Sequence, residues 1–139
     1  MSKNITQKIV FKNAKASALY SMYLDSKHHT RLTGNNPAKI SAKEGAKFSA
    51  YGGYCFGKNL QLIKDKLIVQ SWREIEWKKS TIDSTLILSF EQKKNDTLLT
   101  MVHTNVPDSR GEEIKGGWNE FYWKPWKKYL SETLRLRSA

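Results

Sequence analysis

The period of apolar positions changes several times along the chain, and each change marks an element. Residues 5–11 hold Ile5, Ile9, Val10 and Phe11 among β-forming neighbours, which predicts a strand. Over 14–24 the spacing lengthens: Ala18, Leu19, Met22 and Tyr23 recur at three and four residues and share one face of a short helix. Asp25-Ser26 breaks that helix and can cap a second one, which runs through Leu32 and stops at Thr33-Gly34. Strands follow at 38–42, 47–51, 54–63, 67–73, 81–91 and 98–104, parted by the turn chemistry of Glu44-Gly45, Gly52-Gly53, Lys64-Asp65-Lys66 and Asn95-Asp96. This run reads as an antiparallel meander. Within 54–63 the inward face stays open, because Cys55, Gly57 and Asn59 have one parity and Phe56, Leu60 and Leu62 the other, and a bulge would switch between them.

Pro107 stands where a helix can begin, and Asp108 with Glu112-Glu113 suits its first turns electrostatically. Counting about 100° per residue from Trp118 places Ile114, Phe121, Tyr122, Pro125 and Tyr129 within about 60° of it, and Trp126 at about 80°. A wide aromatic stripe therefore faces one way. Pro125 lacks an amide proton and should kink or interrupt the helix. The expected fold is α+β: a curved antiparallel sheet wrapped around a long C-terminal helix, with two short helices after the first strand. Such a grip tends to leave an interior pocket.

The chain has 139 residues, the size of a single domain, here 1–139 with a core over about 4–131 and a C-terminal tail at 132–139. Its hydrophobic fraction of 39% is enough for one packed core. The longest nearly apolar run, 86–90, is far below the roughly 20 residues of a membrane span, and the Lys-interrupted N-terminus does not read as a secretory signal. A cytoplasmic protein is expected. The single Cys55 excludes an internal disulfide and a Cys-rich zinc site. Charge is the outlier, at a formal +11 made of 19 lysines and 5 arginines. Lysine dispersed from Lys3 to Lys128 without a dense basic arm favours a solvated positive surface or weak docking to an acidic protein, and speaks against nucleic acid.

Three segments carry a resemblance: GAKFSAYGGYCFGKNLQLIKDKLIVQSWREIEW at 45–77, STLILSFEQKKNDTLLTMVHTNVP at 84–107 and GWNEFYWKPWKKYL at 117–130, with the Leu19-Tyr20 helix before them. In this order they resemble the helix-grip fold of the START and birch-pollen-allergen superfamily. More closely, they are similar to the C-terminal domain of the activator of heat-shock protein 90 ATPase and its stand-alone homologues. The resemblance implies a non-enzymatic domain whose partner is a heat-shock protein 90 type chaperone. The superfamily implies a second role, an interior site for a small hydrophobic ligand. The grip is expected to use essentially all 139 residues, leaving no room for the separate N-terminal domain of the full co-chaperone.

The candidate cavity residues are Phe48, Trp72, Phe90, Met101, His103, Trp118, Tyr122 and Tyr129. They either fill the core between sheet and helix, or in part line a cavity whose polar handles are the two tyrosine hydroxyls and the His103 ring. His103 follows Leu99 and Met101 at period two, the pattern of a hydrogen-bonded core histidine. His28 and His29, beside Lys27 and Arg31, read as solvated, and adjacent helical positions diverge too far to chelate one ion. Glu74, Glu76 and Asp83 read as solvated turn charges, and no third group is evident that would orient a Cys55–His103 pair for nucleophilic catalysis. Gly52-Gly53 and Gly116-Gly117 lack the Lys-Ser/Thr of a phosphate loop. No catalytic residue, metal or cofactor is expected.

Overall fold

Strand β1 (Ser2–Phe11) is followed by helices α1 (Ala16–Tyr23) and α2 (Ser26–Leu32) and then by β2 (Lys47–Ala50), β3 (Cys55–Ile63), β4 (Leu67–Glu74), β5 (Ser84–Lys93) and β6 (Asp96–Pro107). The strands make one antiparallel sheet in the order β1-β6-β5-β4-β3-β2. A 3-10 turn (Asp108–Arg110) leads into a continuous C-terminal helix composed of α3 (Gly111–Trp118), a π-helical turn (Asn119–Trp123) and α4 (Lys124–Ser138). This computed structural model describes residues 2–138, with side chains through 133. The arrangement is the expected grip, a curved sheet closed by the long helix.

Strict alternation builds the inner face of the sheet. Ile68 on β4, Leu86 and Leu88 on β5, and Leu99 and Met101 on β6 are buried completely, while their neighbours are not. Each such side chain contributes about 1.5–3 kcal/mol relative to exposure. Leu19 and Leu32 from the short helices, and Trp118, Trp123 and Trp126 from the long one, cover this face. Asp25 caps α2 as its position predicts, accepting from the His28 amide at 3.0 Å.

Two expectations need correction, and one open question is answered. Residues 38–42 do not form a strand; only Lys39 bridges to Ser49. The Asn59 side chain takes the Ser41 and Lys43 carbonyls at 2.7 and 3.1 Å, and its backbone pairs with Gly45 and Ala46, so this segment hangs on β3 through a turn. The open parity of β3 is settled by a register shift between Asn59 and Gln61. Cys55 and Asn59 face inward before it, Leu62 packs toward the core after it, and Leu60 is left exposed. The aromatic stripe is also re-phased: Phe121 is 57% exposed whereas Trp126 is wholly buried.

Pro125 explains the last of these. It cannot donate to the Phe121 carbonyl four residues earlier, and the helix accommodates it with a π turn whose extra residue sets later positions back by about 100°. Trp126 thereby rotates into the core against Phe11, at a ring separation of 5.0 Å. The Tyr51 hydroxyl, from the corner between β2 and β3, donates to the carbonyl that Pro125 leaves without its helical partner. Tyr51→Phe should lower stability by about 1 kcal/mol, the net worth of one hydrogen bond. Urea unfolding checks this, and an unchanged midpoint would show that water replaces the hydroxyl without loss.

Candidate functional site

The helix and the sheet do not close completely at the end where α3 begins. A cavity of about 430 Å³ remains there. Its floor is Cys55, Trp72 and Glu74, all on inward positions of β3 and β4. One wall is the β2–β3 corner with Tyr51 and Tyr54, and the other is Ile114, Gly117, Trp118, Phe121 and Tyr122 on α3 and the π turn. Arg110 and Glu113 stand at the polar end.

Two buried histidines hold the aromatic walls. His103 Nδ1 lies 3.1 Å from Trp118 Nε1, which can only donate, so the ring proton sits on Nε2 and goes to Ser84 Oγ at 2.8 Å. Ser84 passes its own proton to the Trp72 carbonyl at 2.6 Å. His29 has the opposite tautomer: Nδ1 donates to the Tyr23 carbonyl at 2.7 Å and Nε2 accepts from the Tyr122 hydroxyl at 2.8 Å. Burial pushes His29 down to about 4 despite its backbone bond to Tyr23, and pushes His103 down to about 3 despite the charge of Glu74. Both rings are therefore neutral near pH 7. Trp118 and Tyr122, 4.8 Å apart by ring centroids, are each fixed by one of them.

Glu74 and Arg110 form the second constellation. Glu74 is buried at the end of β4, and Arg110 grips it with Nε at 2.8 Å and Nη2 at 3.0 Å, while Trp77 Nε1 donates at 2.9 Å. Burial alone would raise this carboxyl, yet the bonds from Arg110 and Trp77 outweigh it and hold it below the usual carboxylate range. The pair fastens the start of the C-terminal helix to the sheet. Cys55 is buried beside it, and burial pushes its thiol up to about 12, so it is not a thiolate at neutral pH. Among the described residues no three His, Cys, Asp or Glu side chains gather as a metal site would need, and no helix is long and apolar enough to cross a membrane.

Of the residues singled out from the sequence, Trp72, Trp118 and Tyr122 line the cavity, and His103 lies behind the first two. Met101 is fully buried under the sheet, Phe90 packs on Tyr20, and Phe48 is buried on β2. Tyr129 meets His28 at 3.0 Å on α4, away from the cavity lining. Two polar assignments are reversed: His29 is buried rather than solvated, and Glu74 is a buried ion-pair partner rather than a turn charge. Tyr51, Tyr54, Arg110, Ile114 and Gly117 were not among the sequence candidates. For Glu74 a signal existed, since it continues the even-numbered inward series Ile68, Gln70, Trp72.

Comparisons with known proteins bear on the family and the fold. The family model described as Activator of Hsp90 ATPase homolog 1-like protein matches residues 13–131. The chain is 30% identical over 100 residues to the human activator of 90 kDa heat shock protein ATPase homolog 1, covering 72% of this chain and 29% of that protein. To the Saccharomyces cerevisiae Hsp90 co-chaperone AHA1 it is 26% identical, covering 79% of this chain and 33% of that one. It thus spans about a third of the length of these curated relatives. The crystal structure of an HSP90 activator from Plasmodium falciparum has a TM-score of 0.81 at 27% identity, with 94% of this chain and 96% of that one covered. An Aha1 dimer from Colwellia psychrerythraea, at 17% identity, a TM-score of 0.72 and coverage of 86% and 90%, shares the fold.

Proposed function

The chain belongs to the Activator of Hsp90 ATPase homolog 1-like family, and from that premise we propose that it is a non-catalytic, co-chaperone-like domain that docks on an acidic surface of an Hsp90-type chaperone, in the manner of the C-terminal domain of the larger activators. The observation that carries the docking mode is the state of its lysines. All 19 are exposed, and among the described residues only Lys3, Lys93 and Lys124 have a carboxylate within 4.0 Å. Unpaired surface cations of this kind steer a domain toward an acidic partner and lose their reach as salt is added.

Affinity for the host chaperone should fall by about tenfold when NaCl is raised from about 50 to about 300 mM. Calorimetric titration at both salts measures this. No binding at low salt, together with an unchanged chaperone ATPase rate, overturns the proposal.

The cavity favours a second reading, carriage of a small hydrophobic molecule. At about 430 Å³ it lies within the range of roughly 300–1,000 Å³ usual for ligand sites. Half of its twelve lining residues are aromatic, with a few polar groups at one end, a lining of the kind that suits such a role.

A further inference from the structure

Resting on the docking reading, we propose that the β4–β5 loop at 75–83 makes the contact with the acidic partner: Ile75 and Ile82 enter an apolar recess of that protein while Lys78 and Lys79 meet acidic residues at its rim. Ile82 and Ile75, at 76% and 63% exposure, are the barest large apolar side chains among the described residues. Tyr54 extends the patch, being exposed itself and accepting from the Ile75 amide through its carbonyl at 2.8 Å. Apolar side chains clustered in water add nothing to the core and mark a surface that another molecule covers.

The loop is held rather than slack. Arg73 stands at its root and brackets both arms: Nη1 donates to the Thr81 carbonyl at 2.9 Å and to the Asp83 carboxylate at 2.7 Å, and Nη2 donates to the carbonyls of Lys78 at 2.8 Å and Trp77 at 3.4 Å. The Trp77 ring turns back onto the fold instead of joining the bare patch. It meets Trp72 edge-on at 5.9 Å, donates to Glu74 at 2.9 Å and lies beneath the Arg73 guanidinium at 5.7 Å. Two turns close within the loop, from the Trp77 amide to the Glu74 carbonyl and from the Thr81 amide to that of Lys78. An arginine and a tryptophan thus fix the shape of a segment whose isoleucines stay in water. A loop shaped in advance loses little conformational entropy on binding, so its apolar contact is kept as affinity.

Charge complementarity selects the occupant. Lys78 and Lys79 are exposed and have no carboxylate within 4.0 Å among the described residues, whereas Asp83 is neutralised by Arg73. Glu76 is then the only acid in the loop without a cation at that distance among the described residues. The patch is apolar with a net positive border, and its complement is an apolar recess with an acidic rim.

Calorimetric titration with the host Hsp90-type chaperone at about 50 and about 300 mM NaCl tests the inference. The double exchange Ile75→Ser with Ile82→Ser should weaken binding at least about tenfold at both salts, because salt does not screen an apolar anchor. Lys78→Glu with Lys79→Glu should weaken it about tenfold at the lower salt and much less at the higher. Lys64→Glu with Lys66→Glu, the same change of charge in the turn at the other end of β4, should stay within about threefold of the native protein. All six side chains are exposed, so each variant should keep the native Tm. Undiminished binding by the isoleucine variant, or equal losses from the two lysine pairs, overturns the role of the loop but leaves docking through dispersed lysines standing. Sedimentation with phosphatidylserine vesicles is the competing arm: an isoleucine variant that loses vesicle binding while holding the chaperone as before assigns the loop to a membrane surface and overturns the inference. Absence of chaperone binding by the native protein at the lower salt, with an unchanged ATPase rate, overturns both readings.

Discussion

Lowering the pH from about 8 to about 5 is expected to remove about 4 kcal/mol of folding stability, about 2 kcal/mol from each of His29 and His103. In the unfolded chain both rings protonate near the ordinary value of 6.5, whereas in the fold they are held down to about 4 and about 3. The unfolded state therefore binds more protons throughout this interval. The stabilisation is complete above pH 6.5 and is lost progressively as the pH falls toward the folded values. Urea unfolding across the range should show two protons taken up on unfolding, and His103→Gln should remove one of them. An uptake below one proton in the native sequence would show that these rings do not stay neutral in the fold.

Gly57→Ala is expected to cost about 3 kcal/mol or more, a large share of the roughly 5–15 kcal/mol by which an ordinary domain is stable. The reason is not backbone freedom. A Cβ at this position would lie 1.8 Å from the Ser71 carbonyl oxygen and 2.6 Å from its carbon, both main-chain atoms of β4. Nothing there can swing aside, so the two strands would have to separate. The ladder is already irregular at this point, where the Lys58 amide bonds to the Ser71 hydroxyl at 2.9 Å. Gly45→Ala is the control: that residue has φ +84° with open space around it, so only conformational strain of about 1 kcal/mol is expected. Equal losses in the two variants, read from thermal or urea midpoints, would contradict the clash.

Most of the fold was legible because its signals are local. The period-two runs of β4, β5 and β6 and the Asp25 cap are written within a few residues of where they act. Residues 38–42 misled because their apparent strand is overruled by Asn59, about twenty residues further on, whose side chain claims the Ser41 carbonyl and that of Lys43 just beyond. The π turn was half legible: Pro125 announced an interruption, but its form and the resulting exchange of Phe121 for Trp126 depend on Tyr51 and Phe11 in distant elements. His29 was misjudged by its charged neighbours, since a helix of two turns can bury one position between exposed ones. At the candidate site, Trp72, Trp118 and Tyr122 lie on periodic apolar faces and could be chosen from the sequence. Arg110 could not, because its partner Glu74 is 36 residues away and nothing local distinguishes it from other surface cations.

The pairing of β1 with β6 bears on how the protein is made. Ser2 sits opposite Pro107 and Phe11 opposite Thr97. During synthesis the first strand emerges long before its partner exists, and at about 5–20 residues per second it waits roughly 5–20 s. Throughout that interval Ile5, Ile9 and Phe11, all buried in the finished fold, face solvent on a nascent chain. The covering helix is translated later still. A member of a chaperone-activator family thus passes through its own birth as a chain in need of shelter, its strand β1 left unpaired until β6 has been translated.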